Sequence, residues 1–141
     1  MRNLEKAKTL LLSGNYTCVL CKDDTVFTTT ERGVKPLVRW LTEGTALRDF
    51  SAADKVVGKA TAYLYCLLGV KAVHSLVMSK AAARVLEENN IATSQDKLVE
   101  NIINRQGTGI CPFEEAVWEI HDPQNALAAI RDKMEQMHIT L

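Results

Sequence analysis

The feature that most constrains this chain is one long apolar segment near its middle. The segment opens at Ser51–Asp54 and stops at Gly69, and its apolar side chains recur at helical spacing: Val56, Val57, Ala60, Tyr63, Leu64 and Leu67. This apolar face is too broad for a helix that lies on a surface, so the spacing predicts a central helix buried on most of its sides. Such a helix needs other layers of secondary structure packed around it.

β-rich runs on both sides of this segment predict a sheet. Tyr16–Cys21 and Thr25–Thr30 are separated by Asp23-Asp24, a pattern typical of an antiparallel hairpin, and Lys71–Met78 predicts a third strand. A hairpin followed by strand–helix units favours an α/β fold, in which a mixed sheet carries helices on both faces as three layers. With 141 residues and no linker-like stretch, we expect one domain over residues 1–141.

Several shorter helices have recognisable ends. An apolar stripe of Leu4, Ala7, Leu10, Leu11 and Leu12 predicts a first helix that Gly14-Asn15 stops, and Pro36 suits the first turn of a second. Ser79 is a good N-cap for a helix over Lys80–Glu88, and Asp122-Pro123 for the last one. The stretch Ile91–Asn104 is ambiguous and fits a short strand followed by a helix from about Asp96.

Charge and cysteine content exclude several classes of function. The 17 basic and 17 acidic residues balance, which argues against binding to duplex nucleic acid. No apolar run approaches the 18 residues of a membrane span and no signal peptide is recognisable, so we expect a cytoplasmic protein without membrane contact. In a reducing compartment the four cysteines are expected to be free thiols, and we expect no cofactor. Cys18 and Cys21 lie three apart on a predicted strand and therefore point to opposite faces, so they cannot converge on one metal without a turn between them.

Two segments resemble a known family. Residues 54–60 read Asp-Lys-Val-Val-Gly-Lys-Ala, and residues 104–114 read Asn-Arg-Gln-Gly-Thr-Gly-Ile-Cys-Pro-Phe-Glu. Together with the order of elements, they resemble an uncharacterised bacterial family that has the cytidine-deaminase-like fold. The resemblance covers nearly the whole chain and implies that fold.

The resemblance also implies a site without zinc. Deaminases hold zinc through a His/Cys-x-Glu motif and a Pro-Cys-x-x-Cys motif, each at a helix N-terminus. The corresponding places here read Ala53–Val57 and Ser79–Ala83, which contain neither thiol nor imidazole. We therefore expect no metal, and the fold implies a pocket at those helix N-termini suited to a nucleoside or nucleotide.

Asp54 and Lys55 are candidate ligand contacts at the predicted start of the long helix. The alternative is a helix cap followed by a solvated lysine. Gly58-Lys59-Ala60-Thr61 resembles part of a phosphate loop, but it lies inside the predicted helix and lacks the earlier glycine. Gly58 is better explained as a position where a neighbouring element packs closely.

The segment from Asn104 to Glu115 is the richest candidate. Cys111 is a predicted N-cap, with Pro112 and Glu114 at the first and third helical positions, so Cys111 is a candidate nucleophile and Glu114 its proton carrier. The preceding loop is a candidate phosphate-binding loop, with Asn104, Arg105, Gly107, Thr108 and Gly109 as the candidate contacts. The alternative is an ordinary capped helix start with a buried cysteine. His74 has no acidic residue beside it in the sequence and is a weak signal.

Three functional hypotheses follow. In the first, the chain binds a nucleoside- or nucleotide-derived small molecule without catalytic zinc; Asp54 contacts the ribose or base, while Lys55, Arg105 and the loop over 107–109 hold phosphate. In the second, the chain is an enzyme with Cys111 as its nucleophile. In the third, it is a non-catalytic interaction module that forms a homo-oligomer. These residues leave open whether any reaction is catalysed.

Overall fold

The computed structural model describes residues 2–104 and 106–141. A five-stranded mixed sheet forms its centre, with strands β1 (Cys18–Lys22), β2 (Thr25–Thr29), β3 (Ser51–Val57), β4 (Ala72–Ser79) and β5 (Ala92–Val99) in the order β2-β1-β3-β4-β5. β1 pairs antiparallel with both β2 and β3, whereas β3, β4 and β5 run parallel. The described residues contain six helices: α1 (Arg2–Ser13), α2 (Lys35–Glu43), α3 (Lys59–Leu68), α4 (Lys80–Glu88), α5 (Pro112–Ala116) and α6 (Pro123–Gln136).

Each face of the sheet has its own core. α1 covers one face, where Ala7 and Leu11 pack against Val19, Cys21 and Ala53. The larger core lies on the other face and joins β-strand side chains to α2, α3, α4 and α6. Cys18 belongs to this larger core, which confirms that Cys18 and Cys21 point to opposite faces and cannot share a metal.

The start of the long apolar segment is a strand and not a helix. Residues 51–57 form β3, which lies between β1 and β4, and α3 begins only at Lys59. A strand covered on both faces is apolar at successive positions, as Ala52 and Ala53 are, and periodicity alone does not distinguish it from a buried helix. Gly69, with φ 76°, ends α3 as predicted.

The helix predicted from about Asp96 is also wrong. β5 continues to Val99 as an edge strand. Of the four apolar residues predicted to face inward on that helix, Leu98 and Ile103 are exposed, at 45% and 54% of their full accessibility, and Val99 and Ile102 are half-buried. Their spacing therefore does not mark a buried surface.

Turn and capping residues predicted the ends of the elements more reliably than apolar spacing predicted their interiors. The hairpin is confirmed, with Cys18 opposite Thr29 and Lys22 opposite Thr25. The Ser79 hydroxyl accepts a hydrogen bond from the Ala82 amide at 3.1 Å, and Asp122 accepts one from the Asn125 amide at 3.0 Å, which confirms both predicted N-caps. In α1, by contrast, Leu12 is 70% exposed and lies outside the buried stripe. None of the helices in the described part of the chain is long and apolar enough to cross a membrane.

Candidate functional site

The three parallel strands end along one edge of the sheet, which we call the carboxyl edge and define by Val57, Ser79 and Val99. Ligands of open α/β sheets commonly bind beyond the carboxyl ends of the strands. The side chains near this edge are therefore the first place to look for a site.

A polar cluster lies at the middle of β3. The Tyr65 hydroxyl of α3 donates a hydrogen bond to the Asp54 carboxylate at 2.6 Å, and the Cys18 thiol lies 3.1 Å from the same hydroxyl. Tyr65 and Cys18 are buried, whereas Asp54 is only half-buried. We call these three residues the Asp54 cluster.

Burial changes the proton affinity of the whole cluster. It raises the pKa of Asp54 to about 6, although the hydrogen bond from Tyr65 acts in the opposite direction. Burial is the larger cause, and the negative charge of Asp54 the second, that raises the pKa of Cys18 and the pKa of Tyr65 well above their ordinary values. Near neutral pH the carboxyl can gain or lose a proton while the thiol and phenol keep theirs.

The surroundings of Asp54 and Lys55 differ from the predicted ones. Both residues lie on β3, so Asp54 does not cap a helix and no ring of free helix amides surrounds it. The Lys55 side chain is exposed, and its backbone amide donates to the carbonyl of Thr17 at 3.0 Å. Asp54 thus remains a candidate contact, but as a strand residue held by Tyr65.

The N-terminus of α3 is closed by a carboxylate from the same chain. The amides of Lys59 and Ala60 donate to the two carboxylate oxygens of Glu114, at 2.9 and 3.0 Å. Glu114 is only 7% exposed. A carboxylate at this position satisfies two amides that would otherwise lack partners and lies at the positive end of the helix dipole.

Gly58 makes this arrangement possible. It lies immediately before α3 and not inside a helix, which corrects its predicted position. A Cβ atom on Gly58 would come within 2.5 Å of the Glu114 carboxyl group, so the prediction that a neighbouring element packs closely here is confirmed.

The loop before α5 is folded around one asparagine. The Asn104 carboxamide accepts from the Thr108 amide at 3.0 Å and donates to the Thr108 hydroxyl at 3.2 Å, while Gly107 has a positive φ of 73°. The predicted contact at Arg105 lies outside the described residues. Among the described residues, no hydrogen bond joins Gly107, Thr108 or Gly109 to Asp54 or Lys55.

Cys111 precedes Pro112 as predicted, and its side chain is half-buried and makes no capping hydrogen bond. The Glu114 carboxylate is bound by the α3 amides. The catalytic roles of Cys111 and Glu114 stay predictions. No group of three His, Cys, Asp or Glu side chains in the described residues is arranged to hold a metal ion.

The sequence did not reveal two partners. Tyr65 was not recognised as the residue that holds Asp54, although Tyr at an apolar helical position often seeks a hydrogen-bond acceptor. His74 has an acidic neighbour after all, because parallel pairing of β4 and β5 brings Asp96 to 3.2 Å from its Nε2 atom.

The comparisons with known proteins identify the family. The model of the family described as TM1506, a domain of unknown function (DUF1893), matches residues 6–134. The chain belongs to the DUF1893 family. This DUF1893 domain is similar to the crystal structure of a DUF1893 family protein from Thermotoga maritima, with a TM-score of 0.83, 25% sequence identity, and coverage of 96% of this chain and 90% of that one. No curated protein matches the chain.

Proposed function

We propose that this DUF1893 domain binds a nucleoside- or nucleotide-derived small molecule, with Asp54 as the central contact and without catalytic zinc. The observation that supports the proposal is Asp54, a half-buried residue whose carboxyl group is fixed by Tyr65 and has its pKa raised by burial to about 6. Groups with perturbed pKa values concentrate at functional sites. The cytidine-deaminase-like classification of the fold is part of the same proposal.

The chemistry of Asp54 fits a ligand rich in hydroxyl and amino groups. One of its oxygens is oriented by Tyr65, and the other makes only a long contact of 3.4 Å with the Val56 amide. That second oxygen is available to accept a hydrogen bond from a ribose hydroxyl or a base amino group. Near pH 6 the same carboxyl can also donate one.

A phosphate group of the ligand would need a binding site other than the free amides at a helix N-terminus, where phosphates often bind. Glu114 already occupies the first amides of α3, so an anion there would have to displace it. In our proposal the phosphate is held by Lys55 and by the loop of Asn104, Arg105, Gly107, Thr108 and Gly109.

A thermal-shift experiment tests the proposal. The wild type, Asp54→Asn and the control Asp132→Asn, an exposed aspartate on α6, are melted with nucleosides, mononucleotides and dinucleotides at millimolar concentration. A ligand at 100 times its Kd stabilises the folded state by about 2.7 kcal/mol. We expect one ligand class to raise the Tm of the wild type and the control but not of Asp54→Asn. Unchanged melting of the wild type with every ligand contradicts the proposal.

A second variant tests the contact with phosphate separately from the contact with the nucleoside. Lys55→Ala should reduce the shift caused by a nucleotide and leave the shift caused by the matching nucleoside unchanged, because Lys55 is assigned to phosphate alone. Equal losses for both ligands would contradict that assignment.

A further inference from the structure

A serine, a histidine and an aspartate lie in a row on the face of the sheet that α1 covers in part. His74 of β4 is 5% exposed and pairs in register with Ser94 of β5. Its Nδ1 atom is 2.7 Å from the Ser94 hydroxyl and its Nε2 atom is 3.2 Å from the Asp96 carboxylate. Ser94 and Asp96 are two residues apart on one strand, so both side chains point to the face where His74 lies.

These distances give each residue a defined chemical role. The Asp96 carboxylate lies 3.2 Å from Nε2, and its negative charge favours the tautomer that carries its proton on Nε2 and leaves Nδ1 without one. That Nδ1 atom then accepts the Ser94 O–H. A nucleophile bonded to a base, which is oriented by a third group, is the arrangement that activates hydroxyl nucleophiles on unrelated folds.

The groups around His74 favour a neutral imidazole. Lys8 and Glu5 face it from α1, and Asp96 faces it from β5. Burial, followed by the charge of Lys8, lowers the pKa of His74, while Asp96 and Glu5 oppose this effect more weakly. A neutral imidazole is the form that can take a proton from Ser94.

The nucleophile is accessible and lies away from the Asp54 cluster. Ser94 is exposed on the edge strand β5, beside backbone amides that the edge leaves without sheet partners. Asp54 contacts Tyr65 on the other face of the sheet, whereas Ala53, the register partner of His74, packs against α1. The two sites can therefore be tested independently.

We propose that Ser94, His74 and Asp96 form a second site, in which Ser94 accepts an acyl group from small activated esters and transfers it to water. The Ser94 Oγ–carbonyl bond forms while the hydroxyl proton passes to His74 Nδ1. The ester C–O bond then breaks, and the leaving alcohol or phenol takes that proton. Water attacks the acyl-serine with His74 again as the base, and the products are the carboxylic acid and free Ser94.

The experiment uses the full chain with two probes. The first is p-nitrophenyl acetate, followed by release of p-nitrophenol and by peptide mass spectrometry. The second is a fluorophosphonate, which reacts with activated serines. We expect one label per chain on Ser94, no label in Ser94→Ala, and a rate lowered roughly 100-fold in Asp96→Asn, because the base loses its orienting partner. The rate should rise with pH as His74 loses its proton and level off by neutral pH.

The controls make a negative result informative. Ser13→Ala removes an exposed serine at the end of α1 and should leave the label unchanged. Because Asp96 is 64% exposed, Asp96→Asn should keep the fold, which circular dichroism checks. Labelling confined to lysines, equal labelling of Ser94→Ala, or a folded Asp96→Asn that reacts at the wild-type rate would each overturn the proposal.

Discussion

At the scale of single residues, Asp54 combines two properties that rarely occur together in a purely structural carboxylate. Its position is fixed by a short hydrogen bond from a buried tyrosine, and burial disfavours its charged form. The folded domain therefore holds a proton on Asp54 at pH values where the unfolded chain has lost it.

Asp54→Asn should make the stability of the domain less dependent on pH. The folded pKa of about 6 lies above the ordinary 3.8, so the native state binds more protons between these values and wild-type stability falls as pH rises through that window. Asparagine keeps an acceptor for Tyr65 and does not titrate. We expect the variant to gain roughly 1–3 kcal/mol on the wild type between pH 4 and pH 7. Urea unfolding at pH 4, 5, 6 and 7 measures this, with Asp132→Asn as the control; parallel pH curves for wild type and Asp54→Asn would contradict the assignment.

Glu114→Gln should destabilise the domain by about 2 kcal/mol at neutral pH. The glutamine has one acceptor oxygen, and its NH₂ group faces an α3 amide that is itself a donor. The neighbouring Glu115 is exposed, so Glu115→Gln is a matched control expected to change stability by less than about 0.5 kcal/mol. Guanidinium unfolding compares the three proteins. An equal effect of both changes would mean that the loss comes from net charge and not from the contact with α3.

The sequence could indicate that residues such as Asp54, Gly58 and Glu114 were unusual, but not what they touch. Pro112 and Glu114 fit the start of a local helix, yet Glu114 binds amides 55 residues earlier in the chain. His74 likewise meets Asp96 only through strand pairing. A side chain with a distant partner leaves no local pattern, so its identity can be noticed from the sequence while its role cannot.

At the scale of elements, the residues at the ends of helices predicted the element boundaries well, whereas the apolar patterns inside the elements did not distinguish helix from strand. Gly69, Ser79 and Asp122 act through their own backbone neighbourhood and marked their boundaries correctly. The sequence of β3 predicts the start of a helix, because a strand buried on both faces is apolar at successive positions. The strand is defined by its pairing with β1 and β4, which the local sequence does not show. The coarse α/β class with a mixed sheet was predictable, whereas the fifth strand was recognised only in part.

The contact between the α5 segment and α3 predicts a specific coupling. Gly58→Ala should displace the Glu114 carboxyl group, because the new Cβ would lie within 2.5 Å of it. Gly58→Ala and Glu114→Gln then act on the same pair of hydrogen bonds, so their costs should not add in full. We expect the double variant to be at least about 1 kcal/mol more stable than the sum of the single changes implies.

Unfolding of the wild type, both single variants and the double variant completes this cycle. Additive costs would show that Gly58 and Glu114 act separately. In that case the tight fit at Gly58 relaxes through movement of some group other than the carboxylate.

At the scale of the whole molecule, the sheet has a protected centre and two exposed edges. β1, β3 and β4 have a strand on each side, and Val19, Ala53 and Val73 are fully buried, whereas β2 and β5 are edge strands. Hydrogen exchange should therefore be slowest in β1, β3 and β4, faster in β5, and fastest in the exposed residues 106–109. Exchange followed by mass spectrometry checks this order. Protection of β5 equal to that of β4 would indicate that β5 is covered, as association of copies through this edge would do.

The bond between Glu114 and α3 also has a consequence for the order of events during synthesis. When Lys59 and Ala60 emerge from the ribosome, the residue that completes the start of their helix has not yet been translated. At 5 to 20 residues per second, the intervening 55 residues take about 3 to 11 s. For that interval the two amides can bond only to water, and the start of α3 reaches its final arrangement after Glu114 has been added to the chain.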